Sequence, residues 1–99
     1  MRTVIETEDF IRAASKLWNE SDHDEFLSWI STHPDAGDVI VGTGGARKVR
    51  WSRAGSGKSG GVRVVYFHRS NDGTVILFAI YAKSERENLT RKEIERKSL

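Results

Sequence analysis

Two strand-like segments joined by a tight turn most constrain the fold of this 99-residue chain. Residues 62–68 are rich in β-branched and aromatic side chains, and residues 74–82 are the most apolar stretch of the chain. Between them, Asn71-Asp72-Gly73 predicts a hairpin, because Asp-Gly supplies the positive φ angles that such turns need. Residues 47–51 alternate like a third strand. These segments together predict a three-stranded antiparallel meander.

Two amphipathic helices are predicted ahead of these strands. The first carries apolar residues at helical spacing: Phe10, Ala14, Leu17 and Trp18. It is expected to begin at Glu8 or Asp9. Ser21 or Asp22 can cap the second helix, and His33-Pro34 ends it, since the residue before a proline avoids the helical region.

The remaining segments complete the predicted architecture. Residues 3–5 form a short opening strand, and residues 37–45 and 54–61 are glycine-rich connections. Thr90 caps a last helix that runs to Lys97, with Glu93 as its capping-box partner. The fold class is therefore α+β: two N-terminal helices packed on a twisted antiparallel β-sheet, with a short C-terminal helix. Residues 1–99 are expected to form a single domain.

Composition narrows the functional classes. The chain has no cysteine, which excludes a disulfide scaffold, an iron–sulfur site and a cysteine nucleophile. His23, His33 and His68 lack metal-ligand spacing, so neither a metal nor another cofactor is expected. The first residues lack the apolar stretch of a signal peptide, and the longest apolar run, Val75–Ala82, is too short to span a bilayer. We therefore expect a cytoplasmic domain with no membrane partner.

Charge is divided unevenly along the chain. Residues 1–41 hold three basic and nine acidic side chains, a net charge of −6. Residues 42–99 hold thirteen basic and five acidic side chains, a net charge of +8. No acidic residue lies between Asp38 and Asp72. This asymmetry suggests an anionic ligand for the second half, with nucleic acid the leading candidate. Charge alone fits a solvated basic face equally well.

Strand alternation sorts the cations of the predicted sheet. Lys48 and Arg50 share one face of their strand, whereas Arg47 shares the other with Val49 and Trp51. Arg63 projects from the same side of its strand as the apolar residues Val65 and Phe67. An arginine among apolar neighbours is either an edge residue whose guanidinium reaches the surface or a cation that binds a phosphate.

The end of the last strand carries two groups that can transfer protons. Tyr81 and Lys83 share a face there, although a tyrosine at a strand end often only packs. Gly57-Lys58-Ser59 is not a P-loop, since the pattern needs glycine where Ser52 stands and a helix where a strand follows.

Three segments together resemble the RelE superfamily, and most closely the HigB-like toxins of bacterial type II toxin–antitoxin systems. They are Gly37–Trp51, Gly57–Tyr66 and Tyr81–Glu85. The resemblance implies a RelE-like small domain that cleaves mRNA in the ribosomal A site without a metal. In that reaction a ribose 2′-hydroxyl attacks the adjacent phosphate and leaves a cyclic phosphate and a 5′-hydroxyl. It also implies three partners: the ribosome, mRNA and a cognate antitoxin, expected to be HigA-like with a helix-turn-helix.

The resemblance also implies roles for particular residues. Lys48 and Arg50 match the family's basic strand, and Arg63 matches the arginine of the next strand. The exit of the last strand differs, because this chain reads Lys83-Ser84 where RelE has consecutive Lys-Arg. Tyr81, Lys83 or Arg86 is expected to complete the site. The predicted catalytic residues are Arg63, Lys48, Arg50, Tyr81 and Lys83, and the predicted RNA-binding residues are Arg47, Arg53, Lys58 and Arg86.

Two other functions are alternatives, although the cations Lys48, Arg50, Arg63 and Lys83 speak against the first, which has less need of an RNA-cleavage site. A gyrase-poisoning toxin of the related ParE type would share the fold, and a non-catalytic basic RNA-binding module would bind with salt sensitivity but would not cleave. For either toxin, acidic or apolar antitoxin segments are expected to cover the basic face or the N-terminal helices.

Overall fold

The computed structural model describes residues 2–51, 61–69, 71–83 and 90–97. Within these ranges the elements are β1 (Thr3–Glu6), α1 (Glu8–Leu17), α2 (Glu20–Thr32), β2 (Asp38–Val39), β3 (Arg47–Trp51), β4 (Val62–Arg69), β5 (Thr74–Ala82) and α3 (Arg91–Lys97). The strands form one sheet in the order β1-β5-β4-β3-β2. The predicted α+β architecture is confirmed.

The predicted meander is present as β3, β4 and β5, which pair antiparallel in sequence order. The opening strand is also present, but β1 runs parallel to β5, so the sheet is mixed rather than wholly antiparallel. The short strand β2 lies inside the segment predicted as a connection and pairs antiparallel with β3. Two residues are too few to show alternation, which is why the sequence pattern does not reveal β2.

Side-chain caps fix where the helices begin. Thr7 caps α1, because its Oγ1 accepts a hydrogen bond from the backbone N–H of Phe10 at 3.1 Å. Asn19 caps α2 through its Oδ1, which accepts from the backbone N–H of Asp22 at 2.8 Å. The predicted caps Ser21 and Asp22 are therefore wrong, since asparagine is as good an N-cap and starts the helix earlier. The predicted end of α2, ahead of Pro34, is confirmed.

The two faces of the sheet carry different layers. Helices α1 and α2 pack on one face, which we call the helix face. Its fully buried side chains include Phe10, Phe26, Ile30, Val64, Tyr66 and Leu77. On the opposite face, which we call the open face, Ile94 of α3 packs with Phe78, Ala79 and Tyr81. Burial of both apolar clusters holds the helices to the sheet.

Local contacts close the hairpin and start the last helix as predicted. The Asp72 carboxylate accepts a hydrogen bond from the Thr74 backbone N–H at 3.0 Å. Gly73 adopts a φ of 70° but Asp72 does not have a positive φ, so the turn is present with one of the positive φ angles expected of Asp-Gly. Thr90 and Glu93 form the predicted capping box, with reciprocal hydrogen bonds of 3.0 and 3.1 Å. The register of β4 against β5 shifts between Val65 and Tyr66.

Candidate functional site

Cross-strand pairing brings three of the predicted catalytic residues into one row. Arg50 of β3 lies opposite Arg63 of β4, and Arg63 lies opposite Tyr81 of β5. Directly paired residues project from the same side of a sheet, so all three lie on the open face. We call them the Arg63 row.

Lys48 and Lys83 flank this row. Lys48 lies opposite Val65, so it shares the open face with Arg63. On β3 it lies two residues before Arg50, on the same side of the strand. Lys83 follows the last residue of β5, and its backbone N–H donates to the carbonyl of Gly61 at 3.3 Å. That bond ties the end of β5 to the start of β4. The structure therefore brings Lys48, the Arg63 row and Lys83 to one end of the open face.

These side chains differ in how much of their surface is exposed to solvent. Tyr81 is only 6% exposed, Lys48 and Arg63 are partly buried, and Arg50 and Lys83 are exposed. A cavity of about 150 Å³ borders Tyr81 between α1, β5 and α3. Its lining residues are Asp9, Ala13, Phe78, Ala79, Ile80, Tyr81, Glu93 and Lys97. Tyr81 is thus buried, Lys48 and Arg63 are half-buried, and Arg50 and Lys83 are open to solvent.

The charges of the row suit an anionic ligand. Arg50 and Arg63 are directly opposed, and like charges in that relation repel each other. An anion bound between the two guanidinium groups is attracted to both, and these two attractions offset the repulsion. Guanidinium groups match the geometry of phosphate oxygens in particular, because they present paired N–H donors.

Asp38 is a further residue of the open face that the sequence interpretation missed. It lies opposite Lys48 in the pairing of β2 with β3. Among the strand residues that the structure describes, Asp38 is the one carboxylate on this face, since Glu6 contacts His23 on the helix face. Recognising it would have required knowing that residues 38–39 form a strand.

Arg47 is separated from the row. It lies opposite Tyr66 and so belongs to the helix face, as the alternation predicts. Its guanidinium donates to the carbonyl of Gly37 at 2.7 Å and to that of Asp35 at 3.3 Å, and lies 3.6 Å from the Asp35 carboxylate. These contacts hold the chain ahead of β2. RNA binding by Arg47 remains a prediction.

The Asp35 contact includes a buried histidine. His68 Nδ1 lies 2.8 Å from the Asp35 carboxylate, and its hydrogen bond and charge, with the charge of Arg47, hold the pKa of Asp35 below its ordinary value. Nearby, the Gly37 backbone N–H donates to the hydroxyl of Tyr66 at 2.9 Å, and burial raises the pKa of that phenol. This cluster holds the chain ahead of β2 against β3 and β4.

Several predicted features lie outside the described residues: Arg53, Lys58, Arg86 and the Gly57-Lys58-Ser59 segment. In the part of the chain that the structure covers, no group of three or more histidine, aspartate or glutamate side chains is placed to hold a metal ion. None of the helices in those same ranges has the length and apolar character needed to cross a membrane.

Comparisons with known proteins agree with this fold. A family model described as the RelE toxin of the RelE/RelB toxin–antitoxin system matches residues 4–98. The structure of a double arginine-to-alanine mutant of the E. coli toxin RelE in the free state has a TM-score of 0.68 at 17% identity, covering 99% of this chain and 98% of that one. The intact E. coli RelBE toxin–antitoxin complex has a TM-score of 0.62 at 16% identity, covering 83% of this chain and 96% of that one.

Proposed function

This chain belongs to the RelE toxin family, and on that premise we propose that it is a ribosome-dependent mRNA endonuclease of a type II toxin–antitoxin system. We assign it to the HigB-like branch on the segments that resemble those toxins. The observation that carries the proposal is the register that aligns Arg50, Arg63 and Tyr81 on the open face, with Lys48 beside them.

The proposed reaction is attack of a ribose 2′-hydroxyl on the adjacent phosphate. It needs a base at the 2′-oxygen, cations around the pentacoordinate phosphate and an acid at the leaving 5′-oxygen. Arg63 lies in the middle of the row and binds the phosphate whose negative charge grows in the transition state. Lys48 and Arg50 bind the RNA from the neighbouring strand and assist proton transfer.

Tyr81 and Lys83 complete the proposed site at the end of β5. Tyr81 is the partner of Arg63 in the sheet, so its phenol belongs beside the same phosphate. Lys83 is exposed at the strand exit, where its ammonium can donate a proton or bind a phosphate. In this scheme the chemistry uses cations, a phenol and an amine, and takes no metal or other cofactor. The ribosome supplies much of the orientation of the message.

The proposed partners follow from the family. The E. coli RelBE complex pairs a toxin of this fold with its antitoxin. We propose that this chain is likewise neutralised by a cognate antitoxin, of a HigA-like helix-turn-helix type, with acidic or apolar segments covering the open face or the N-terminal helices. We further propose that residues 1–99 act as a single domain and in the cytoplasm, where translating ribosomes are found.

Mapping the 5′ ends of mRNA after induction of the toxin tests this function. Wild type and Arg12→Ala, which removes an exposed arginine of α1, are expected to produce breaks in phase with codons. Arg63→Ala is expected to produce none and to stop inhibiting growth. Intact message accompanied by DNA damage would contradict the proposal and favour a gyrase poison. Intact message with salt-sensitive RNA binding would favour a binding module.

A further inference from the structure

An aromatic side chain lies on the open face beyond the cations. Phe67 is two alternation steps along β4 from Arg63, on the same side of the sheet. At about 3.3 Å per residue, its Cα lies roughly 13 Å from that of Arg63. Lys48 lies opposite Val65, midway between them. Arg63 and Phe67 therefore lie on β4 and Lys48 on the neighbouring strand β3, all three on the open face.

Packing from below holds the Phe67 ring. Its centroid lies 5.1 Å from that of Phe78, and the two ring planes are inclined by 24°, a stacked arrangement. Phe78 is only 1% exposed. The register shift beside Tyr66 leaves Phe78 without a direct partner in β4, and it packs in the open-face cluster. Phe67 itself is partly exposed. One ring is thus buried as a support and the other is available to a ligand.

The neighbours of Phe67 across the sheet are apolar. Ile76 lies directly opposite Phe67, and Ile5 of β1 lies opposite Ile76. Ile76 is partly buried and Ile5 is 46% exposed. None of these side chains has a group that can hydrogen-bond the edge of a base. This row of side chains can therefore accept the flat face of a ring and has no donor or acceptor for its polar edge.

We propose that Phe67 is a stacking platform for one base of the mRNA, next to the nucleotide whose phosphate the Arg63 row binds. This inference rests on the proposed function and adds a residue that positions the substrate. Single-stranded nucleic acid is held in general by cations along the backbone and by aromatic rings under the bases, and the open face of β3 and β4 presents both kinds of side chain. The succession of Arg63 and Lys48 before the ring favours RNA over an apolar protein segment.

The expected effect is on binding rather than on the chemical step. Loss of one base–aromatic stack weakens binding of a single strand by about 5- to 160-fold. Phe67→Leu, which keeps an apolar side chain but loses the ring, is expected to raise the concentration of ribosomes needed for half-maximal cleavage. The maximal rate is expected to change by less than about twofold, because Phe67 does not touch the reacting atoms. Phe67→Tyr keeps the ring and is expected to restore the wild-type value.

A double-mutant cycle, which combines substitution of Phe67 with removal of a base from the RNA, measures the contact between the ring and the base. The probe is a 2′-O-methyl oligoribonucleotide, which cannot be cleaved, in which each position in turn is made abasic. Binding to wild type, Phe67→Tyr and Phe67→Leu is measured at low salt. At one position, loss of the base should weaken binding to wild type and to Phe67→Tyr but leave binding to Phe67→Leu unchanged. Equal melting temperatures of the three proteins control for folding.

The outcomes separate this inference from the proposed function. If wild type cleaves message but no position shows this coupling, the stacking platform is wrong and the proposed function stands. If the coupling is present but wild type cleaves no message, the platform stands as an RNA-binding feature and the nuclease proposal fails. If Phe67→Leu binds and cleaves like wild type but is no longer neutralised by the antitoxin, the ring contacts protein and the inference is overturned.

Discussion

Asp35 and His68 form a contact that supports the candidate site without belonging to it. His68 projects from β4 into the helix face, and its Nδ1 lies 2.8 Å from the carboxylate of Asp35, which follows α2. Arg47 of β3 reaches the same carboxylate. One exposed aspartate thereby joins two strands to the chain that leads into β2. This connection holds the chain that leads into β2 against the strands that carry Lys48, Arg50 and Arg63.

The contact makes stability depend on pH in a defined direction. The hydrogen bond from His68 holds the pKa of Asp35 below its ordinary value of 3.8 in the folded state. A carboxyl whose pKa is lowered by folding stabilises the fold above its unfolded pKa, and that stabilisation is lost as the pH falls through the folded value. Asp35→Asn should therefore lower the free energy of unfolding above pH 3.8, and its difference from wild type should vanish in stronger acid.

Urea denaturation across this pH range measures the difference. Asp24→Asn, which removes an exposed carboxylate of α2, is the matched control for loss of a surface charge. A difference between Asp35→Asn and wild type that stays constant down through the acid range would show that the contact with His68 has no part in the linkage.

At the scale of elements, Gly37 determines how closely β2 approaches the rest of the sheet. A Cβ at this position would lie 2.8 Å from the carbonyl oxygen of Lys48 and 3.0 Å from the Tyr66 hydroxyl. The first obstacle is backbone of β3, which cannot move without disturbing the pairing with β4. The absence of a side chain at Gly37 thus allows the edge strand to dock beside Lys48.

Gly37→Ala is expected to destabilise the protein by about 1–3 kcal/mol, the usual cost of forcing an extra methyl group into a packed position. The double variant Gly37→Ala with Tyr66→Phe removes the hydroxyl obstacle but leaves the Lys48 carbonyl, so it should not recover stability. Thermal unfolding of the two variants and wild type is the measurement. A Gly37→Ala protein as stable as wild type would mean that β2 does not pack here as described.

Secondary-structure elements could be predicted from the sequence where a hydrophobic pattern extends over five or more residues. The strands at 47–51, 62–69 and 74–82 show alternation or continuous apolar character, and the Asp72-Gly73 turn fixes the hairpin between the last two. The cap at Asn19 was missed because neighbouring residues offer equivalent side chains. The register that aligns Arg50 with Arg63 could not be predicted, because alternation assigns a face to each residue but does not say which residues lie opposite each other.

At the scale of the whole molecule, the sheet separates two environments. The N-terminal helices, from the part of the chain with net charge −6, cover the helix face, and Lys48, Arg50 and Arg63, from the part with net charge +8, lie on the open face. A surface with one dominant sign of charge attracts an oppositely charged partner over a distance and speeds its encounter. Among the described strand residues the division is not complete, since Arg47 lies on the helix face and Asp38 on the open face, and the proposed RNA site lies where Lys48, Arg50 and Arg63 share a face.

The central claim is that phosphate chemistry takes place at the Arg63 row. The most direct test is the single-turnover rate of mRNA cleavage on programmed ribosomes at saturating toxin, for wild type, Arg63→Ala and Arg12→Ala. Removing a charge that stabilises the transition state should slow Arg63→Ala by about 10²–10³-fold. Arg12→Ala should stay within about twofold of wild type. A folded Arg63→Ala protein that cleaves at the wild-type rate would contradict the account.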